Sequence, residues 1–120
     1  MKLEEHYAYI LGFELANDIW NIVSRWDYLA KDTIGKQLIR SADSISSNIA
    51  EGWFRYYKKD KILFYIYARG SVAETKDFIE KSKIRELISL KEYNSITDKL
   101  NSLPELINGL IKGTNLNLRR

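Results

Sequence analysis

Apolar residues return mostly at steps of three and four along four successive stretches of this chain, and few folds can use that rhythm. In the first stretch they are Ala8, Leu11, Leu15, Ile19, Ile22 and Trp26; in the second, Ile34, Leu38, Ala42, Ile45, Ile49 and Trp53. A helix of 3.6 residues per turn places each set on one face. The third stretch starts near Lys58–Asp60 and runs through Leu63, Ile66, Tyr67, Gly70, Ala73 and Phe78 toward Ile84. Its small residues Ala68, Gly70, Ser71 and Ala73 are expected to let a second helix approach closely. The fourth opens on Ser89-Leu90-Lys91-Glu92, a capping-box pattern, and continues through Tyr93, Ile96, Leu100, Leu103, Ile107 and Leu110.

The joints follow from what breaks the rhythm. Between Trp26 and Thr33 the pattern lapses, and Asp32 or Thr33 is expected to cap the second helix. Pro104 lacks a backbone N–H, which predicts a kink in the fourth helix, and Gly113 is the expected stop. The last residues, 115–120, are expected to form a short flexible tail, leaving residues 1–114 as one domain. Four helices with one apolar stripe each and short connections predict an all-α, antiparallel up-down-up-down four-helix bundle.

Composition works by exclusion. One Pro and six Gly among 120 residues supply too few turns for an all-β chain. Without Cys there is no disulfide framework and no thiolate for catalysis or zinc. The single His, His6, removes Glu-x-x-His di-metal sites, Ser-His-Asp triads and Arg/His ribonuclease pairs; it is expected in a frayed first turn. No metal or cofactor is therefore expected. No apolar run reaches membrane-spanning length and the first residues do not read as an export signal, so a cytoplasmic location is the expectation.

Charge is mild overall, +3, but unevenly placed. Residues 1–54 hold five basic against eight acidic side chains, whereas residues 55–120 hold fourteen against eight. The densest cluster is Arg55, Lys58, Lys59 and Lys61, interleaved with Tyr56 and Tyr57. Basic residues among aromatic ones can attract a polyanion; they can equally be a solvated joint between helices. Three Trp and eight Tyr are many for a bundle of this size, which suggests aromatic surface facing a partner.

A second stripe lies beside the apolar one. Gln37, Arg40, Ser44, Asn48 and Glu51 keep helical spacing, and Ser71 and Glu74 lie almost one turn apart on the third helix. Facing each other, they would let Arg40 pair with Glu51 or Glu74 while Asn48 and Ser71 satisfy remaining donors. The other reading is a solvated polar row. Acid–base work by Glu51 and Glu74 would need burial to raise one pKa, and no nucleophile, phosphate loop or metal set accompanies them.

Residues 37–52, Gln-Leu-Ile-Arg-Ser-Ala-Asp-Ser-Ile-Ser-Ser-Asn-Ile-Ala-Glu-Gly, resemble the signature of the four-helix-bundle proteins encoded in intervening sequences of bacterial 23S rRNA genes, the S23-like family. A second block, Ala68-Arg69-Gly70-Ser71-Val72-Ala73-Glu74, is similar to that family's third-helix motif, and the resemblance runs from about Tyr9 to Lys112. It implies assembly as a ring, commonly a homopentamer. It also implies kinship with the accessory variability proteins of diversity-generating retroelements, basic bundles that bind nucleic acid and a reverse transcriptase. Because Arg40, Asn48, Glu51, Ser71 and Glu74 stand at motif positions, the resemblance favours the structural polar network. The expected function is a non-enzymatic oligomeric bundle that binds structured RNA or DNA weakly through Arg55, Lys58, Lys59 and Lys61. The alternative is a protein-interaction scaffold or an accessory subunit for an enzyme such as a reverse transcriptase.

Overall fold

The computed structural model describes residues 1–117. A short 3₁₀ turn, Leu3–Glu5, leads into helix α1, Tyr7–Val23. A helical lead-in over Tyr28–Ala30 and a π turn over Lys31–Gly35 run directly into α2, Lys36–Phe54. Helix α3 spans Lys58–Ile84 and α4 spans Leu90–Asn117. The connections are short, so neighbours in sequence run antiparallel, and the bundle measures 49 × 23 × 21 Å. Each of α1 and α3 packs on both α2 and α4, which leaves α1 and α3 across the diagonal.

The apolar rhythm of α1, α2 and α4 marks their buried faces. Leu15, Ile19, Leu38, Ile45, Ile49, Leu100, Leu103 and Ile107 are all fully enclosed. Helix α3 departs from its expected face. Leu63, Ile66, Tyr67, Gly70 and Ala73 point outward, and the core side is Tyr65, Ala68, Val72, Thr75, Ile79 and Ser82. Two of those inward residues carry hydroxyls, which bond within the helix: Thr75 Oγ1 donates to the Ser71 carbonyl at 2.7 Å and Ser82 Oγ to that of Phe78 at 2.8 Å. A hydroxyl satisfied by its own helix can enter the core at little cost.

The joints also correct the sequence expectation. The cap is Asp27, whose carboxylate accepts the Ala30 N–H at 3.0 Å; Asp32 and Thr33 lie inside the π turn that follows. The rhythm lapses because the chain leaves the helix over residues 24–27 and then passes through the short lead-in and the π turn before Lys36. Gly35 belongs there: a Cβ would sit 2.8 Å from Val23 Cγ1 and 3.0 Å from the Ala30 carbonyl oxygen. At the end of α3, Glu86 takes a left-handed φ of 58°. The Leu87 N–H reaches back to the Ser82 carbonyl and the Glu86 N–H to that of Lys83, forming a Schellman close without glycine. The capping box at Ser89 and Glu92 forms as expected, with reciprocal bonds of 2.9 and 3.1 Å.

Helix α4 continues through both Pro104 and Gly113. Thr114 Oγ1 and Asn117 Nδ2 donate to the carbonyls of Leu110 and Gly113, each at 2.8 Å, and Gly113 keeps a negative φ. Asn115, Leu116 and Asn117 are therefore helical rather than tail; residues 118–120 lie outside the described residues.

His6 is not frayed. Its Nδ1 accepts the Ala8 N–H at 3.1 Å, capping α1, and its ring meets Trp53 edge to face at 5.9 Å. Nδ1 accepts only while it is unprotonated, and partial burial pushes the pKa below the ordinary 6.5. The unfolded chain thus takes up this proton first as pH falls. The contribution is complete above about pH 6.5 and is lost on acidification toward the folded-state pKa. In urea melts, the native chain should lose stability in that window, whereas His6→Asn, which keeps a capping oxygen, should not show this component.

Candidate nucleic-acid interface

The site is built on the connection between α2 and α3. Arg55 is extended, at φ −71° and ψ 148°, and Tyr57 is extended before the first turn of α3. This three-residue joint turns the chain back and leaves its side chains outward. Phe54, Tyr56 and Tyr57 are 76%, 77% and 65% exposed. The rings of Tyr56 and Tyr57 stack on each other, with centroids 5.0 Å apart and planes within 12°.

The four basic residues expected here divide into two pairs. Lys61 turns inward, and its Nζ donates to the carbonyls of Trp53 at 2.6 Å and Gly52 at 3.3 Å. It adds a side-chain donor to carbonyls at the end of α2, where Gly52 already accepts the Arg55 N–H, and partial burial lowers its pKa. Arg55 Nε pairs with Glu51 at 3.1 Å, and its guanidinium lies 4.6 Å from the centre of the Phe64 ring. Lys58 and Lys59 join no ion pair among the described residues. They flank a surface hollow together with Tyr57, Asp60 and Ile62.

The polar stripe is realised in its serines and not in its charges. Ser44 Oγ meets Ser71 Oγ at 2.6 Å, and Asn48 Nδ2 donates to the Ser44 carbonyl at 2.8 Å. One turn further along, Thr75 Oγ1 meets Ser41 Oγ at 2.9 Å inside the core. Ser41 and Thr75 were missing from the expected set, although Thr75 follows Ser71 by four residues and Ser41 precedes Ser44 by three. Arg40 pairs with neither Glu51 nor Glu74 among the described residues; Glu51 is held by Arg55, and Arg40 and Glu74 are exposed. The short hydroxyls bring α2 and α3 so close that long charged side chains are displaced to the rim. Glu51 and Glu74 are both solvated, so the burial that acid–base work would require is absent. No group of His, Asp and Glu among the described residues is arranged to hold a metal, and no described helix is long and apolar enough to cross a membrane.

A second surface feature lies at the other end of α2. Trp20, Val23, Tyr28 and Ile39 line an apolar groove of about 350 Å³, with Lys31, Asp32 and Lys36 at its edge.

These features define an all-helical bundle joined on α2 and α3 by small hydroxyl side chains, with an aromatic and basic connection at one end. Residues 4–109 match the family described as 23S rRNA-intervening sequence protein, and the chain belongs to that family. Among solved structures it is similar to a protein of unknown function from the S23 ribosomal protein family of Bacteroides thetaiotaomicron VPI-5482. The two are 26% identical, with a TM-score of 0.78, over 88% of this chain and 98% of the other. No curated protein matches the sequence.

Proposed function

We propose that this chain is a non-enzymatic, self-assembling bundle that holds nucleic acid weakly through phosphate contacts. The observation that carries this reading is the pair Lys58 and Lys59, free of ion pairs among the described residues, beside exposed aromatic rings. Two lysines per chain give only modest attraction, so assembly matters: copies around a ring add by multivalency. Outward apolar residues support assembly. Phe13 and Trp20 on α1 and Leu63, Ile66 and Tyr67 on α3 are exposed, and those helices lie across the diagonal. A closed ring needs two different patches on well-separated sides, which such an arrangement supplies. The apolar groove at Trp20, Tyr28 and Ile39 favours a second reading, a scaffold that seats a protein partner.

A salt titration on a 23S rRNA fragment tests the main reading. Affinity should fall steeply between about 50 and 200 mM salt, and Lys58→Ala with Lys59→Ala should weaken binding and lower the salt slope by about one per lysine per engaged chain. Absence of binding at low salt, or indifference to both substitutions, overturns it. Light scattering that returns a monomer at all concentrations removes the assembly.

A further inference from the structure

We infer that the Phe54–Lys59 connection binds unpaired nucleotides, with the Tyr56–Tyr57 stack as a platform for a base and Lys58 and Lys59 on the adjoining phosphates. The inference rests on the nucleic-acid reading above and adds to it the class of strand. Phe54, Tyr56 and Tyr57 contribute to no buried core, although three large aromatics fall within four residues at the shortest joint of the bundle. Fold stability does not account for them. Tyr56 and Tyr57 are already parallel, so the outer face of the stack is ordered before any ligand arrives. A flat ring at a solvent boundary takes up a nucleobase face with little sequence preference, because every base has a π surface.

A duplex hides those faces within its own stack, and its grooves offer base edges instead. Edge reading calls for exposed Arg, Asn or Gln. The one arginine of the connection, Arg55, is held by Glu51 and the Phe64 ring. Lys61 is withdrawn into the end of α2, so the charge left to the ligand is that of Lys58 and Lys59, which follow the stack directly in sequence. Point charges beside a stacking ring fit a flexible backbone carrying an exposed base.

The test measures fluorescence anisotropy of the full chain with a labelled oligouridine and with an RNA duplex of equal length, at low salt. The single strand should bind more tightly. Replacing both rings, Tyr56→Ala with Tyr57→Ala, should weaken it by about tenfold or more while leaving the salt slope and duplex binding unchanged. Tyr56→Phe with Tyr57→Phe should retain affinity, since stacking needs only the ring. These positions are exposed, and an unchanged helical circular dichroism spectrum confirms that each variant is folded. Equal affinity for both ligands, or a Tyr-to-Ala variant that binds the single strand like the native chain, overturns the inference and leaves the phosphate reading standing. Loss of all binding in the native chain overturns both.

Discussion

Ile79→Ala should destabilise the chain by about 2–5 kcal/mol, while Ile66→Ala should cost under about 1 kcal/mol in the monomer. Both residues are isoleucines on the same helix, and both fit an apolar pattern. Ile79 is 1% exposed and sits among the core side chains, so truncation removes buried surface and leaves a cavity between packed helices. Ile66 is 43% exposed on the outward side of α3. Urea denaturation at low protein concentration measures the difference directly. Equal costs would mean that α3 is rotated from its described face. If assembly covers α3, Ile66→Ala should instead shift the concentration at which the oligomer forms.

That contrast shows where the sequence is legible and where it is not. Helices α2 and α4 each carry one apolar stripe over a polar remainder, and in α1 the regular Ala8–Ile22 stripe stands apart from the exposed aromatics Tyr7, Phe13 and Trp20, so periodicity identifies the inward side. Helix α3 carries two stripes. The more hydrophobic one, Leu63, Ile66 and Tyr67, faces out, and the one containing Ala68, Thr75 and Ser82 faces in. Hydropathy ranks them in the wrong order, because Thr75 and Ser82 enter the core with their hydroxyls bonded to their own helix, and a close approach to α2 needs short side chains. The basic cluster was legible as composition, but its division was not. Lys61 and Lys58 look alike in sequence. Only the placement of the α2 terminus beside the first turn of α3 makes one a cap and leaves the other free. The capping box at Ser89 needed no tertiary information, being complete within four residues. The Arg40 pairing failed for the opposite reason: helical spacing allows a long side chain to reach across, but the hydroxyl contacts already fill that space.

Gly52→Ala should destabilise the chain by about 1–3 kcal/mol, although alanine is the better helix former. A Cβ at position 52 would stand 2.7 Å from Tyr65 Cε1, 2.9 Å from Cδ1 and 3.1 Å from the Lys61 carbonyl oxygen. The Tyr65 ring is only 2% exposed and cannot swing away, and the other obstacle is backbone. Relief therefore requires the first turn of α3 to move off the last turn of α2. The same movement would draw Lys61 Nζ from the Gly52 and Trp53 carbonyls, removing both of its bonds to the end of α2. Gly70→Ala is the matching control. It also lies inside a helix, but nothing comes within 4 Å of the added carbon, so the expected change is a gain of about 0.4–1 kcal/mol. Thermal or urea melts should give opposite signs for the two substitutions. A stabilised Gly52→Ala variant would mean that the two helices do not approach as described. Combining Gly52→Ala with Tyr65→Leu, which removes the ring, should cost less than the two single changes together, since both act on one contact.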